Sequence, residues 1–180
     1  MSKKLNKLYK KTPSDFLEYQ SEVPIDIYKI FSDMRIPIIE VNFDKLQKEL
    51  PFENPLVKGL VYTKDENLFF LYSNLLKDID IRFTLAHQLG HCCIHMNEFS
   101  TYHIELDPLK DIHGTVDGGY KFFNNQKEAE ANKFARDLLI PTDQIMDILQ
   151  HGDIENSEQL ADMFKVSKEL IFEKLYELSK

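Results

Sequence analysis

The sequence contains only two cysteines, and they are neighbours, Cys92 and Cys93. Adjacent side chains on a helix point about 100° apart, so these two thiols are badly placed to form a disulfide with each other. This shortage of cysteine argues against a secreted protein held together by disulfides. We expect both residues to be small buried apolar side chains, and zinc ligation by either of them is the alternative interpretation.

Long apolar runs and an excess of positive charge are also absent. No stretch approaches the roughly 20 apolar residues needed to cross a bilayer, which predicts a soluble, cytoplasmic protein with no membrane partner. The chain has 22 lysines and arginines against 30 aspartates and glutamates, for a net charge of −8. Because affinity for nucleic acid comes mainly from cations that meet phosphates, direct nucleic-acid binding is disfavoured.

One basic segment, MSKKLNKLYKK, stands at the N-terminus. It lacks the continuous apolar core of a signal peptide, so we interpret it as a solvated or frayed arm. A local contact between its lysines and nucleic acid is the other interpretation.

The remaining composition is that of an ordinary globular protein. Hydrophobic residues make up 43% of the 180 residues, enough for a packed core, and this length favours one domain with at most a small appendage. We predict a basic N-terminal arm and leading helix over residues 1–24, a main domain over 25–141 and a small helical extension over 142–180.

Hydrophobic periodicity and turn signals predict the order of the elements. In chain order they are a helix from Pro24, a strand at 36–41, a hairpin of 56–63 and 67–74, helices at 80–97 and 126–140, and three short helices after Pro141. Asn156 or Ser157, and Ser167, are natural N-caps for the last two helices. The polar segment 98–125, between the two longer helices, predicts a functional loop or an edge hairpin.

Residues 82–91 read RFTLAHQLGH and place His87 and His91 four positions apart on a predicted helix. Side chains at this spacing share a helix face, so two imidazoles can converge on one zinc ion and leave room for a third ligand and a water. Two ordinary half-buried histidines are the alternative. His95 continues the same face, but it lies about 12 Å along the axis from His87, so we expect it to serve in packing or behind a ligand.

Glu128, in the segment EAEAN, is the predicted third ligand. Asn132 lies one helical turn further on the same face, where it could hydrogen-bond a ligating histidine and fix its orientation. Glu130 is rotated about 200° from Glu128 and is not expected to share that role. A carboxylate that is favoured by the macrodipole at a helix start is the alternative interpretation of Glu128.

Four side chains between the two metal-site helices are candidates for stabilising the oxyanion of a transition state. They are Tyr102, His103, His113 and Tyr120. Each can donate a hydrogen bond to developing negative charge, which is the property such a site requires. The sequence does not choose among them, and an ordinary surface position is the alternative for each.

The pair RFTLAHQLGH and EAEANKFARDLLIP resembles the ImmA/IrrE family of zinc metallopeptidases. Members typically show R-F-T-x-A-H-E-x-G-H and then E-x-x-A-N-x-F-A-x-x-L-L-x-P, and this chain departs from that pattern at position 88. The similarity covers roughly residues 25–180. It implies a zincin-like α+β fold, in which a small sheet packs on a metal-binding helix, with Zn²⁺ as cofactor. It also implies a protein substrate, because members of this size commonly act as anti-repressors of phages and integrative elements and cut or inactivate a helix-turn-helix transcriptional repressor.

Gln88 occupies the position of the family's glutamate, the general base that takes a proton from the attacking water. An amide is nearly isosteric with a carboxylate but has no usable basicity near pH 7. We therefore expect catalysis to fall by at least the roughly 10²–10⁴-fold that general acid–base catalysis contributes, while zinc affinity survives. Two origins fit, an engineered substitution or a natural pseudoprotease. The intact ligands favour a single deliberate change, because a long-dead site would often have lost a ligand too.

The C-terminal stretch SEQLADMFKVSKELIFEKLYEL has a helix–turn–helix pattern, which predicts DNA binding as a competing function. Its second helix sets two lysines against three glutamates, whereas a recognition helix that faces phosphates should be basic or neutral. We therefore interpret this tail as a packing or repressor-docking element. A zinc-stabilised binding module without catalysis is a third hypothesis.

Overall fold

Helices and one small sheet make up the described chain. The computed structural model of the protein describes residues 3–46, 57–64, 67–95, 102–106, 125–152 and 154–180. The helices of these residues are α1 (Lys3–Leu8), α2 (Ile27–Asp33), α3 (Phe43–Leu46), α4 (Asp78–Ile94), α5 (Asn125–Leu139), α6 (Thr142–His151), α7 (Ser157–Phe164) and α8 (Lys168–Leu178), with a 3-10 segment at Pro13–Tyr19. The strands are β1 (Ile38–Val41), β2 (Val57–Lys64), β3 (Asn67–Ser73) and β4 (Tyr102–Leu106). The prediction of a mixed α+β fold is confirmed.

The four strands form one sheet in the order β1-β3-β2-β4. β2 and β3 pair antiparallel, with Lys64 opposite Asn67, which confirms the predicted hairpin. β1 joins β3 in parallel, and β4 pairs antiparallel with β2. The segment 98–125 therefore contributes a strand at the edge of the sheet, and its interpretation as an edge hairpin or a functional loop stays a prediction.

Successive residues of β3 point to opposite faces of this sheet. Leu68 and Phe70 enter the main hydrophobic cluster, which also contains the apolar side chains of α4, whereas Leu71 packs with Phe43 of α3 and Val57 on the other face. The Phe31 and Phe70 rings meet edge-on, with their centroids 4.7 Å apart, and so tie α2 to the sheet. One face of the sheet thus faces the helix that carries both predicted histidine ligands.

α4 is buried on almost every side. Its buried residues form a run from Thr84 to Cys93, so a single apolar stripe does not describe it, and a helix of this kind belongs inside the core. Cys92 and Cys93 are both fully buried thiols and members of the hydrophobic cluster, which confirms their expected packing role.

Gly90 allows α5 to approach α4 closely. A Cβ added at this glycine would lie 3.0 Å from Cβ of Phe134 and 3.1 Å from two of its ring carbons. The sequence predicts that a glycine inside this helix marks close packing, for instance against a sheet. The packing is close, but the partner is the helix α5.

Two predictions about the N-terminal part of the chain need correction. α2 begins at Ile27 and not at Pro24, because the Asp26 side chain accepts a hydrogen bond from the backbone N–H of Lys29 at 3.0 Å and caps the helix there. The interpretation of the basic N-terminal segment as a solvated arm is also wrong for residues 3–11, which the structure describes. Leu8 is fully buried, and the Lys10 N–H donates to the Cys93 carbonyl at 2.8 Å.

The three short C-terminal helices form as predicted. Asn156 caps α7 and Ser167 caps α8, each through its side-chain oxygen. The buried Arg82 of α4 donates to the carbonyls of Ile25 at 2.9 Å and Lys165 at 3.2 Å, so it links the start of the main region to the turn between α7 and α8.

The boundaries after residues 24 and 141 stay predictions. Among the described residues, no helix is both long and apolar enough to cross a membrane.

An ionic cluster holds α8 against α5. The Lys174 ammonium is only 2% exposed and donates to the Asp137 carboxylate at 2.8 Å, and Lys133 donates to the other oxygen of Asp137 at 2.9 Å. Arg136 donates to Glu173 at 3.1 Å and to Glu177 at 3.0 Å. Because α5 also carries Glu128 and Asn132, this cluster helps to fix the helix that completes the predicted site.

We expect Asp137→Ala to lower the free energy of unfolding by about 2–3 kcal/mol, because it leaves the buried Lys174 ammonium without its carboxylate. Lys174→Met should cost much less, since an apolar side chain of similar volume replaces the buried charge. Lys29→Met, which removes an exposed pair with Asp33, should cost less than about 1 kcal/mol. Equilibrium unfolding in urea measures all three, and equal losses for Asp137→Ala and Lys174→Met would contradict the explanation.

Candidate metal centre

α4 presents His87 and His91 on one face, as the four-residue spacing predicts. Both side chains are buried, with 3% and 1% of the residue surface exposed. Their Nε2 atoms lie 2.9 Å apart, and the two rings meet edge-on with centroids separated by 4.6 Å. Two imidazole nitrogens therefore point at a common position inside the protein.

Glu128 of α5 brings a carboxylate to the same position. One carboxylate oxygen lies 3.2 Å from Nε2 of His87 and the other lies 3.4 Å from Nε2 of His91. Ligands that surround a tetrahedral zinc ion at about 2.0–2.1 Å are about 3.4 Å from one another. One donor atom from each of His87, His91 and Glu128 lies within 4.8 Å of the other two, so the three side chains are grouped closely enough to hold a metal ion.

Each histidine is held from behind through its other ring nitrogen. Nδ1 of His87 is 2.7 Å from the Asn132 side-chain oxygen, the contact predicted from the position of Asn132 one turn beyond Glu128. Because an amide oxygen only accepts, Nδ1 of His87 carries the proton and Nε2 carries the lone pair that a metal requires. Nδ1 of His91 is 3.1 Å from Nδ1 of His95, so His95 stands behind a ligand, as one of its two expected roles.

The electrostatics favour the ligating forms of these groups. Burial lowers the pKa of His91 to about 4, so its imidazole is neutral at physiological pH. Burial also raises the pKa of the Glu128 carboxyl, but the neighbouring His87 and His91 lower it by more, and the result lies well below the usual range. Neutral imidazoles and an ionised carboxylate are the forms in which these residues bind a metal.

Gln88 points from α4 at a glycine of the neighbouring strand. The side chain is fully buried, and neither its amide nitrogen nor its amide oxygen has a hydrogen-bond partner among the described residues. A Cβ added at Gly59 of β2 would lie 1.9 Å from Nε2 of Gln88 and 2.7 Å from Cγ2 of Thr84. Residue 59 therefore has to be a glycine for a side chain of this length to lie beneath β2.

A groove with a volume of about 430 Å³ opens beside His87. Asn132, which holds His87, and Phe83, whose ring centroid is 6.1 Å from that of His87, both line it. Leu170 and Glu173 of α8 also line it. The metal centre is thus next to a cleft between α4 and the C-terminal helices.

The four oxyanion candidates remain predictions. Tyr102 and His103 lie in β4, where the backbone pairs them with Tyr62 and Val61 of β2. His113 and Tyr120 lie outside the described residues. Between Tyr102 and Tyr120 the structure describes the edge strand β4. This strand pairs with β2, which carries Gly59.

A family model described as the IrrE N-terminal-like domain of Peptidase_M78 matches residues 46–176. The chain belongs to this family. The match covers β2 to α8, including the three donors and Asn132, and supports a metallopeptidase-type domain. A search of curated proteins gives no match.

Two contacts of this IrrE-like domain were missed by the sequence reasoning. Glu130 reaches His95, with 2.8 Å between Oε2 and Nε2, although its position two residues after Glu128 had excluded it from the site. Gly59 of β2 lies against the side chain of Gln88. The sequence of that strand shows only a hydrophobic run that contains one glycine. A glycine inside a predicted strand was the available signal for the second contact, since it indicates close approach by another group.

We expect Gly59→Ala to lower the free energy of unfolding by about 1–3 kcal/mol, because the new methyl group overpacks against Gln88 and Thr84. Gln88→Ala in the same chain should recover part of this loss by removing the nearest obstacle. Lys58→Ala, on the adjacent half-buried position, should stay within about 0.5 kcal/mol of the parent. Urea unfolding of the single and double variants measures the coupling, and purely additive losses would contradict the contact.

Proposed function

We propose that this chain is a zinc metallo-endopeptidase of the HExxH type that acts on a protein substrate and whose hydrolysis is impaired by Gln88. The observation that carries the proposal is the convergence of two buried imidazole nitrogens and one carboxylate, all within 3.4 Å of each other. Membership of a metallopeptidase family supports the reaction class.

Each residue of the centre has a distinct part in this proposal. His87, His91 and Glu128 hold the metal, and Asn132 keeps the lone pair of His87 directed at it. A bound zinc ion supplies Lewis acidity, which polarises a peptide carbonyl and activates water. The chain must still supply a base for the proton of that water, and the amide of Gln88 has no such basicity.

Retention of the metal donors separates binding from hydrolysis. The amide of Gln88 lies outside the three-donor cluster, so its presence leaves the ligand set complete. A carboxylate of nearly the same shape at position 88 would restore the missing proton acceptor. The proposed defect is therefore in the proton transfers, which contribute roughly 10²–10⁴-fold to the rate.

We further propose that the substrate is a helix-turn-helix transcriptional repressor, as the family resemblance implies. The groove lined by Asn132, which holds His87, and by Leu170 of α8 is the surface that we assign to this substrate. In a chain that binds such a repressor without cutting it, the same groove would serve for capture alone.

The charges of α8 support a packing role over DNA binding. Lys174 is buried and paired with Asp137, and Lys168 pairs with Glu158 at 3.3 Å. Glu173 and Glu177 both accept from Arg136 of α5. The lysines of this helix are thus engaged within the protein, whereas phosphate recognition needs cations that face outward.

Purified protein supplied with zinc should hold one metal ion per chain. His87→Ala should lose it, because only His91 and Glu128 of the three donors remain. His151→Ala, which changes an exposed histidine on α6, is the matched control and should leave the metal content unchanged. Elemental analysis after gel filtration measures the ratio, and equal zinc in the parent and His87→Ala chains would refute the site.

Gln88→Glu should raise zinc-dependent proteolysis by at least about 10²-fold, because a carboxylate can accept the proton of the attacking water. The assay incubates the variant with helix-turn-helix repressors encoded beside this gene and follows new fragments by mass spectrometry. Zinc content should not change with this substitution.

The same assay with Gln88→Glu and His87→Ala combined is the control, and it should show no cleavage. Absence of cleavage by a zinc-loaded Gln88→Glu chain would refute the endopeptidase proposal. Repressor binding by that inactive chain, measured by co-purification, would favour the capture function in its place.

A further inference from the structure

Glu130 connects the metal centre to the protein surface through His95. Its Oε2 lies 2.8 Å from Nε2 of His95, and its Oε1 accepts from the side-chain amide of Gln126 at 3.0 Å. The Glu130 side chain is 41% exposed, whereas that of His95 is 7% exposed. A surface carboxylate therefore ends a chain of contacts that begins at the buried ligand His91.

The hydrogen-bond directions along this chain follow from its outer end. A carboxylate only accepts, so Nε2 of His95 carries the proton it donates to Glu130. Nδ1 of a neutral His95 then carries a lone pair and accepts from Nδ1 of His91, 3.1 Å away. The proton of His91 is thereby placed on Nδ1, and its Nε2 lone pair is directed at the centre shared with Glu128.

We propose that His95 and Glu130 are positioning residues that fix the tautomer and ring orientation of His91 and make its Nε2 a stronger metal donor. The inference rests on the proposed metal site, since it concerns how tightly that site holds its ion. Partners that hydrogen-bond a ligating histidine in this way typically contribute 10–100-fold to metal affinity.

The two histidine ligands differ in the charge behind them. His87 donates to the neutral amide oxygen of Asn132, whereas His91 donates into a relay that ends on the carboxylate of Glu130. A negative charge at the end of the relay favours electron density on Nε2 of His91, and a neutral amide does so less. The two sides of the site therefore have different partners on α5, Asn132 for His87 and Glu130, through His95, for His91.

Substitutions at His95 separate orientation from charge. His95→Phe keeps the size of the ring but removes both nitrogens, and it should raise the zinc dissociation constant about 10–100-fold. His95→Asn places an amide oxygen where Nδ1 stood, so it should retain most of the affinity while the link to Glu130 is lost. Glu130→Gln should weaken zinc binding by less than His95→Phe does, because the contact survives without its charge.

Three measurements test these expectations on the full chain. Competition with a chromogenic chelator gives the zinc dissociation constant, and thermal unfolding of the metal-free chain reports stability alone. Nitrogen–proton correlation spectra of the zinc-loaded chain should show a slowly exchanging proton on Nδ1 of His91 in the parent and in His95→Asn, but not in His95→Phe. Asp147→Asn and His151→Phe, which break an exposed pair of the same chemistry on α6, are the matched controls and should change none of the three.

The outcomes separate this inference from the proposed function. If the parent and His95→Phe chains are both folded and bind zinc equally tightly, the inference is overturned and the metal site still stands. A His95→Phe chain whose only change is a lower unfolding temperature of the metal-free form would have the same consequence. A parent that binds no zinc would overturn the proposed function, and the inference with it.

Discussion

The close approach of α4 and α5 is the constraint on which the site depends. A glutamate reaches only a few ångströms from its helix, so Glu128 can meet two histidines of another helix only where the two backbones nearly touch. Gly90 provides that contact, because any Cβ there would press on Phe134. The glycine lies between His87 and His91 in sequence, so this close contact belongs to the same turn of α4 as the donors. Its weak helix propensity, about 1 kcal/mol below alanine, is the cost of that proximity.

Polar side chains in the middle of a buried helix demand partners, and α5 supplies most of them. Burying an unpaired polar group costs several kcal/mol in an apolar medium, so a core helix with two histidines and an arginine needs a compensating network. Asn132 satisfies His87, the His95–Glu130 pair satisfies His91, and backbone carbonyls satisfy Arg82. An apolar helix would fill the same space without these requirements. The buried histidines of α4 are therefore explained by the site, whereas Arg82 links two parts of the fold.

The sequence predicted those parts of the molecule that depend on spacing within one element. His87 with His91, and Glu128 with Asn132, are each four residues apart, and a helix alone sets that geometry. Joining the two pairs rested on the expectation that the next strong helix supplies the third ligand, because nothing local places α5 beside α4. The role of Glu130 could not be predicted for the same reason. Helix geometry gives the direction of its side chain from α5, but the sequence does not show that His95, at the C-terminal end of α4, lies in that direction. The burial of Leu8 also depends on distant contacts, and the basic residues around it indicated solvent.

Position 88 is the point at which fold and chemistry meet most closely. The side chain lies buried beneath Gly59, in a space that accepts its length and that no larger residue at 59 would leave open. A carboxylate in that space would meet the same burial, which raises the pKa of a carboxyl group. A general base that acts near neutral pH needs a shift in that direction, since an ordinary glutamate is too weak a base. The glycine next to the side chain thus suits a buried carboxylate of raised pKa. With an amide there, the same space leaves both polar atoms of Gln88 without a hydrogen bond from any described residue.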